Sequence, residues 1–198
     1  MARSRRAAAA AFQPITASPP ALLKLDFGCG PHKREGFEGV DATAFVGVDH
    51  VVDLTKAPWP WPDNSVAEAH SSHFLEHLTS LQRVLFCNEL FRVLVPGGTC
   101  QIIVPHWGSC RAYGDPTHQW PPMGEFWFYY LSAEWRNQNA PHTDARYVPG
   151  MFSCNFEATW GYNLRGDLGV RNSEYQQFAI ANYKEVIQDM VGNLKAVK

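Results

Sequence analysis

Apolar and polar residues alternate along this chain in short blocks. Residues 22–27 form an apolar run that closes in an acid and an aromatic, Leu-Leu-Lys-Leu-Asp-Phe, directly before Gly28-Cys29-Gly30. Such a run bounded by glycine reads as a buried strand. Residues 37–41 and 48–54 repeat the pattern, a second and a third strand each closing on an acid, Asp41 and Asp53. The prolines at 58, 60 and 62, interleaved with Trp59 and Trp61, predict a stiff aromatic loop in place of regular structure. A fourth strand is expected over residues 66–71.

Residues 80–94 carry the clearest helical period. Leu81, Val84, Leu85, Asn88, Phe91 and Val95 follow a three-four spacing, and Pro96-Gly97-Gly98 provides the stop. Residues 99–104 then read as a fifth strand. Beyond it lies a long loop, 105–122, with His106, Trp107, Asp115, His118 and Trp120. A loop of that length in a compact domain is usually functional. A helix crowded with aromatics is expected over 124–137, a strand or hairpin over 151–162, and a closing amphipathic helix over 173–191.

Strands alternating with helices predict an α/β fold, with a Rossmann-like, mainly parallel sheet flanked by helices. The first crossover is short: only residues 31–36 separate the glycine turn from the second strand, room for one helical turn.

Composition narrows the partners. The 198 residues carry 17 Lys and Arg against 19 Asp and Glu, so no strongly basic face is expected and nucleic acid is a minority partner. No apolar run reaches the roughly 20 residues of a membrane span. Five cysteines without a C-x-x-C pair suggest reduced thiols and a cytoplasmic setting. Residues 1–20, with Arg3, Arg5, Arg6 and an alanine run, read as a flexible basic arm preceding one domain at 21–198.

Gly28 and Gly30 at a strand end suit a backbone that comes close to a ligand. A dinucleotide turn would place a third glycine where Lys33 stands, and no P-loop pattern occurs, so a pyrophosphate or triphosphate fits poorly. Three acids at successive strand ends, Asp26, Asp41 and Asp53, instead suit a cationic nucleoside without phosphate.

The run Leu25-Asp26-Phe27-Gly28-Cys29-Gly30-Pro31 resembles the first motif of class I S-adenosylmethionine-dependent methyltransferases. Its spacing to Gly39-Val40-Asp41, Val52-Asp53-Leu54, Phe74-Leu75-Glu76-His77-Leu78 and Leu94-Val95-Pro96-Gly97-Gly98 is similar to a small bacterial and phage-type branch. The likeness covers about residues 22–104. It implies S-adenosyl-L-methionine as cofactor and S-adenosyl-L-homocysteine as product. Asp26 and Phe27 would belong to the cofactor site, Gly28, Cys29 and Gly30 would meet the amino acid moiety, and Asp41 the ribose, with Asp49 in reserve if the second strand runs 45–49. Asp53 and Leu54 would edge the adenine, and Ser72 and His73 would lie beside the sulfonium.

The acceptor is less marked. His118, in Asp115-Pro116-Thr117-His118, is the candidate base, and His77 the second catalytic candidate; Asp-Pro-Thr is equally a plain turn, and Glu76 with His77 equally a helix start. His73 and His77 stand four apart, a metal-ligand spacing on a helix, but no metal is expected. Ser71-Ser72-His73-Phe74 replaces the Pro-Pro motif of amino-group DNA methyltransferases, and no Pro-Cys pair is present. A small-molecule acceptor is therefore expected. The alternatives are a cofactor-binding protein without transferase activity, a nucleic-acid methyltransferase, and a nicotinamide-dependent oxidoreductase.

Overall fold

A computed structural model describes residues 21–140 and 151–198; the basic arm lies outside them. The strands are β1 (Leu23–Phe27), β2 (Glu38–Asp41), β3 (His50–Val51), β4 (Val66–Ser72), β5 (Leu94–Pro105), β6 (Phe156–Leu164) and β7 (Ile187–Ala196). They form one seven-stranded sheet in the order β3-β2-β1-β4-β5-β7-β6. The first five run parallel, and β7 is antiparallel to both β5 and β6. The helices of five or more residues are α1 (Ser80–Val93), α2 (Glu125–Tyr129), α3 (Ala133–Asn139) and α4 (Ser173–Asn182), and a single turn at Gly166–Gly169 precedes the last of them.

Register decides which face is covered. The row Leu25, Ala69, Cys100, Leu194 and Ala158 is apolar and belongs to the main core. On that face Phe86 of α1 meets Phe27 of β1 edge-on, and Phe128 of α2 stacks on Trp160 of β6. Trp59 and Trp61, from the proline-rich loop, join this core at 3% and 6% exposure. The loop is irregular as expected, but its tryptophans are part of the core.

The adjacent row, one residue along each strand, is Lys24, Glu68, Thr99, Lys195 and Glu157. Its charged members pair across strands, Lys24 with Glu68 and Lys195 with Glu157, and stay exposed. A one-residue step reverses the face of every side chain, so the polar row marks the solvated side of the sheet.

Several elements differ from the sequence expectation. Helix α1 begins as predicted, with Thr79 accepting from the Gln82 amide and the Gln82 side chain closing a capping box. Its buried stripe, however, is Arg83, Phe86, Cys87, Leu90 and Val93, and Leu81 is exposed. The helix stops at Val93 because Leu94 is already extended and pairs with Val66, with the Pro-Gly-Gly run lying in an irregular stretch of β5. Strand β3 is two residues long, not seven. The aromatic helix is two short helices, broken before Ser132, which caps the second.

The largest correction is at the carboxyl end. Helix α4 ends at Asn182, and β7 replaces the remainder of the expected closing helix. Residues 191–196 in fact alternate about a strand period, with Gly192, Leu194 and Ala196 on the core side. Gly192 is required there: a Cβ would overlap the Phe128 ring.

Candidate functional site

The parallel strands β1 and β2 end side by side, and the glycine turn hangs between them. The amides of Gly28 and Cys29 both donate to the Val40 carbonyl, at 2.8 and 3.2 Å. Gly28 and Gly30 hold φ of 70° and 53°, the left-handed region that glycine enters without strain. An added Cβ at Gly28 would overlap the Phe74 ring. The Gly30 amide donates to Asp41 Oδ2 at 3.0 Å, and the Thr43 amide to Asp41 Oδ1 at 2.9 Å. Asp41 thus closes β2, as expected, and its partly exposed carboxylate faces the turn.

Asp26 is occupied differently. Its Oδ2 accepts from the Arg34 amide at 2.7 Å, and its Oδ1 meets His70 Nδ1 at 2.7 Å, all but buried. The carboxylate therefore pins residues 31–36, the stretch where a crossover helix would stand, and ties β1 to β4. Asp49 accepts from the Gly39 amide and pairs with Lys33 at 2.6 Å. Strand β2 does not run 45–49, so the condition for Asp49 as ribose ligand is not met. Lys33, at the third-glycine position, acts as a tether.

Cys29 lies between these acids. Burial, and then the charges of Asp26 and Asp41, push its thiol up to about 11, so it stays protonated. Asp53 is held at about 2 by hydrogen bonds from the Thr55 hydroxyl and Lys56, and is anionic at working pH. Phe27 and Leu54 are fully or almost fully buried in the core. Ser72 ends β4, and His73 follows it with φ of 53°. A non-glycine residue in that region is strained, and such strain concentrates at functional sites.

Beside the exit of β4 lies a cavity of about 630 Å³, lined by His73, Glu76, His77, Pro105, Arg111 and His118 among others. Two stretches distant in sequence build it, residues 73–77 and the loop 105–118. Arg83 fastens them together. Its guanidinium donates to the carbonyls of Leu75 at 2.9 Å, Pro121 at 2.6 Å and Gln119 at 2.9 Å. The Gln119 amide donates to the Glu76 carbonyl at 2.8 Å. This places the rings of His77 and His118 with centroids 4.8 Å apart.

The hydrogen bonds fix both tautomers. His118 Nδ1 lies 3.2 Å from the Ala112 carbonyl, which can only accept, so Nδ1 carries the proton. The Thr117 hydroxyl donates to Asp115 at 2.7 Å, and this holds the Asp115 carboxyl below its ordinary range. Its oxygen then accepts from His77 Nδ1 at 3.0 Å. Each neutral ring is left with an unprotonated Nε2. Asp115 Oδ2 is 3.9 Å from His118 Nε2.

At the floor, His73 Nδ1 meets Glu76 Oε1 at 3.1 Å, a bond that raises the His73 pKa against the effect of burial. Arg111 pairs with Asp189 Oδ2 at 3.1 Å. His106, also on the long loop, is buried between the Gly108 amide and Glu125, and burial lowers its pKa.

The structure therefore gathers Asp26, Gly28, Cys29, Gly30 and Asp41 around one turn, and His73, His77 and His118 around one cavity. Sequence reasoning missed Arg83, Thr117, Arg111 and Asp189. Asp189 was hidden by the helix assigned there; as a strand residue it sits opposite Pro105, at the carboxyl end of β5. No local pattern points to Arg83, whose partners lie up to 38 residues away.

No protein-family model and no curated protein matches the sequence. Among solved structures, a SAM-dependent methyltransferase from Archaeoglobus fulgidus superposes with a TM-score of 0.57 at 18% identity. The match spans 87% of this chain and 85% of that one. A SAM-dependent methyltransferase from Methanosarcina mazei gives a TM-score of 0.51 at 14% identity, over 88% and 92% of the two chains. Identities this low speak for architecture alone, and together with the observed strand order they give one conclusion: the chain has the class I, Rossmann-like methyltransferase fold.

Proposed function

We propose that this protein is an S-adenosyl-L-methionine-dependent methyltransferase whose acceptor is a small molecule methylated on oxygen or nitrogen. The observation that carries this reading is the Gly30–Asp41 contact: a positive-φ glycine turn fastened to a strand-end acid, with no third glycine and no long helix to face a pyrophosphate. A carboxylate accepting from ribose hydroxyls contributes about 1.5–3 kcal/mol. Gly28, Cys29 and Gly30 would cradle the methionine end, Asp41 the ribose, Asp53 the adenine, and Ser72 and His73 the sulfonium. Asp26 would act through the turn it fixes. Phe27 and Leu54 would contribute backbone, since their side chains belong to the core.

The 630 Å³ cavity matches a small acceptor in size. Methyl transfer is an in-line displacement in which the acceptor lone pair forms the new bond as the sulfonium–methyl bond breaks. Alignment supplies most of what a protein can give, up to roughly 7–11 kcal/mol in well-oriented cases. An acceptor that must lose a proton can give it to His118 or His77 through the free Nε2. The five cysteines are free, which suits a reducing cytoplasm.

The test is release of S-adenosyl-L-homocysteine from a panel of phenols, catechols, amines and short RNA. Turnover is expected with a hydroxyl or amine of small size, and His118→Ala should lower kcat about 100-fold with cofactor affinity unchanged. Cofactor binding with silence across the panel would leave a binding module, and turnover confined to RNA would overturn the small-molecule acceptor.

A further inference from the structure

We propose that Glu76, His77 and His118 form a binding site for a divalent transition-metal cation of the zinc class. One ligand atom from each of these side chains lies within 4.8 Å of the others. A tetrahedral site with bonds of 2.0–2.1 Å needs neighbours about 3.3 Å apart, a closure within reach of side-chain rotation. Two imidazoles and a carboxylate, with one position open to the cavity, are the donor set of catalytic zinc centres.

Three features indicate a prepared site. Glu76 is 5% exposed, and its Oε2 has no hydrogen-bond partner among the described residues. A buried carboxylate oxygen left without a partner is costly, and a cation in the adjoining cavity removes that cost. The two rings already present their unprotonated nitrogens, because the Ala112 carbonyl and the Asp115–Thr117 pair hold the other nitrogens as donors. Such outer partners are what metal-ligating histidines require, and His73 serves Glu76 in the same way through Oε1. Finally, Arg83 and the Gln119–Glu76 bond lock the two ligand-bearing segments together without the ion.

Ion binding stands on this geometry alone. Its consequence rests on the methyltransferase reading: with the ion bound, His77 and His118 would be ligands in place of bases, and an acceptor hydroxyl on the open position would lose its proton to solvent at lower pH and be oriented as well.

The experiment titrates zinc sulfate into chelator-stripped full-length protein by calorimetry, with cobalt as a spectroscopic probe. One ion per chain is expected. Binding should weaken at least tenfold in Glu76→Gln, in His77→Ala and in His118→Ala, and about tenfold in Thr117→Val. Cys110→Ser should bind as the wild type does, because Cys110 lines the same cavity but is not a ligand. The cobalt form should show visible d–d bands without an intense near-ultraviolet thiolate band. Absence of zinc binding in the wild type overturns the site, as does binding lost in Cys110→Ser or unchanged in the three ligand variants. Thermal melts of each variant exclude unfolding as the cause, and the cobalt spectrum of the wild type decides the ligands if a variant does not fold. S-adenosyl-L-homocysteine binding on the same samples separates the two proposals: zinc without it upholds the site and refutes the transferase, and the reverse refutes the site alone.

Discussion

The two ends of the candidate site, the glycine turn and the histidine-lined cavity, are held by different means. At the glycine turn the contacts that involve the backbone are short in sequence: Gly28 and Cys29 bond to Val40, Gly30 to Asp41, Arg34 to Asp26, while the Asp26–His70 side-chain pair spans 44 residues. At the histidine wall they are long, with Arg83 reaching 38 residues to Pro121 and Arg111 reaching 78 to Asp189. The first end is backbone geometry written into glycines and acids. The second is side-chain bridging between segments that only the fold brings together. A chain can therefore keep a recognisable glycine turn while its histidine wall varies by moving a few long side chains.

Gly28→Ala should break the first end and cost the most. The new Cβ meets the Phe74 ring at a left-handed φ, and overpacking with backbone strain should cost about 3 kcal/mol. A urea midpoint unchanged from the wild type would show that the turn is looser than described. Arg83→Met should break the second end, leaving the Gln119 and Pro121 carbonyls without this donor and the Leu75 carbonyl with the Leu78 amide alone, at a cost of about 2 kcal/mol. Calorimetry of that variant should find affinity for S-adenosyl-L-homocysteine intact while turnover falls. Equal loss of both would mean the two ends are one unit.

The smallest effect is a pH dependence at the second end. The Glu76 bond raises the folded pKa of His73. Its stabilisation is thus fully present below the ordinary histidine pKa of about 6.5 and is lost as pH rises through the higher folded value. Urea midpoints of wild type and His73→Gln should differ more at pH 6 than at pH 8. A difference that grows with pH would contradict the hydrogen bond.

The same contrast explains what was legible in the sequence. The glycine turn, the acid ending β2, the capped start of α1 and the parallel core all announce themselves within a few residues. The buried stripe of α1 was misplaced because Arg83 is buried for its carbonyl partners, and hydropathy alone gives arginine to solvent. Strand β7 was missed because helical spacing over 173–182 continued on paper through Met190 and Val191, whereas pairing to both β5 and β6 made extension the better use of those residues. Glu76 reads as a helix-start residue until Gln119 and His118 are brought against it.

The identity of the cofactor is most directly tested by calorimetric titration of wild type and Asp41→Ala with S-adenosyl-L-homocysteine and, separately, with NADH. The proposed function predicts one saturable site for S-adenosyl-L-homocysteine, weakened about 10- to 100-fold in Asp41→Ala, and no heat from NADH. Saturable NADH binding with no response to S-adenosyl-L-homocysteine would contradict it.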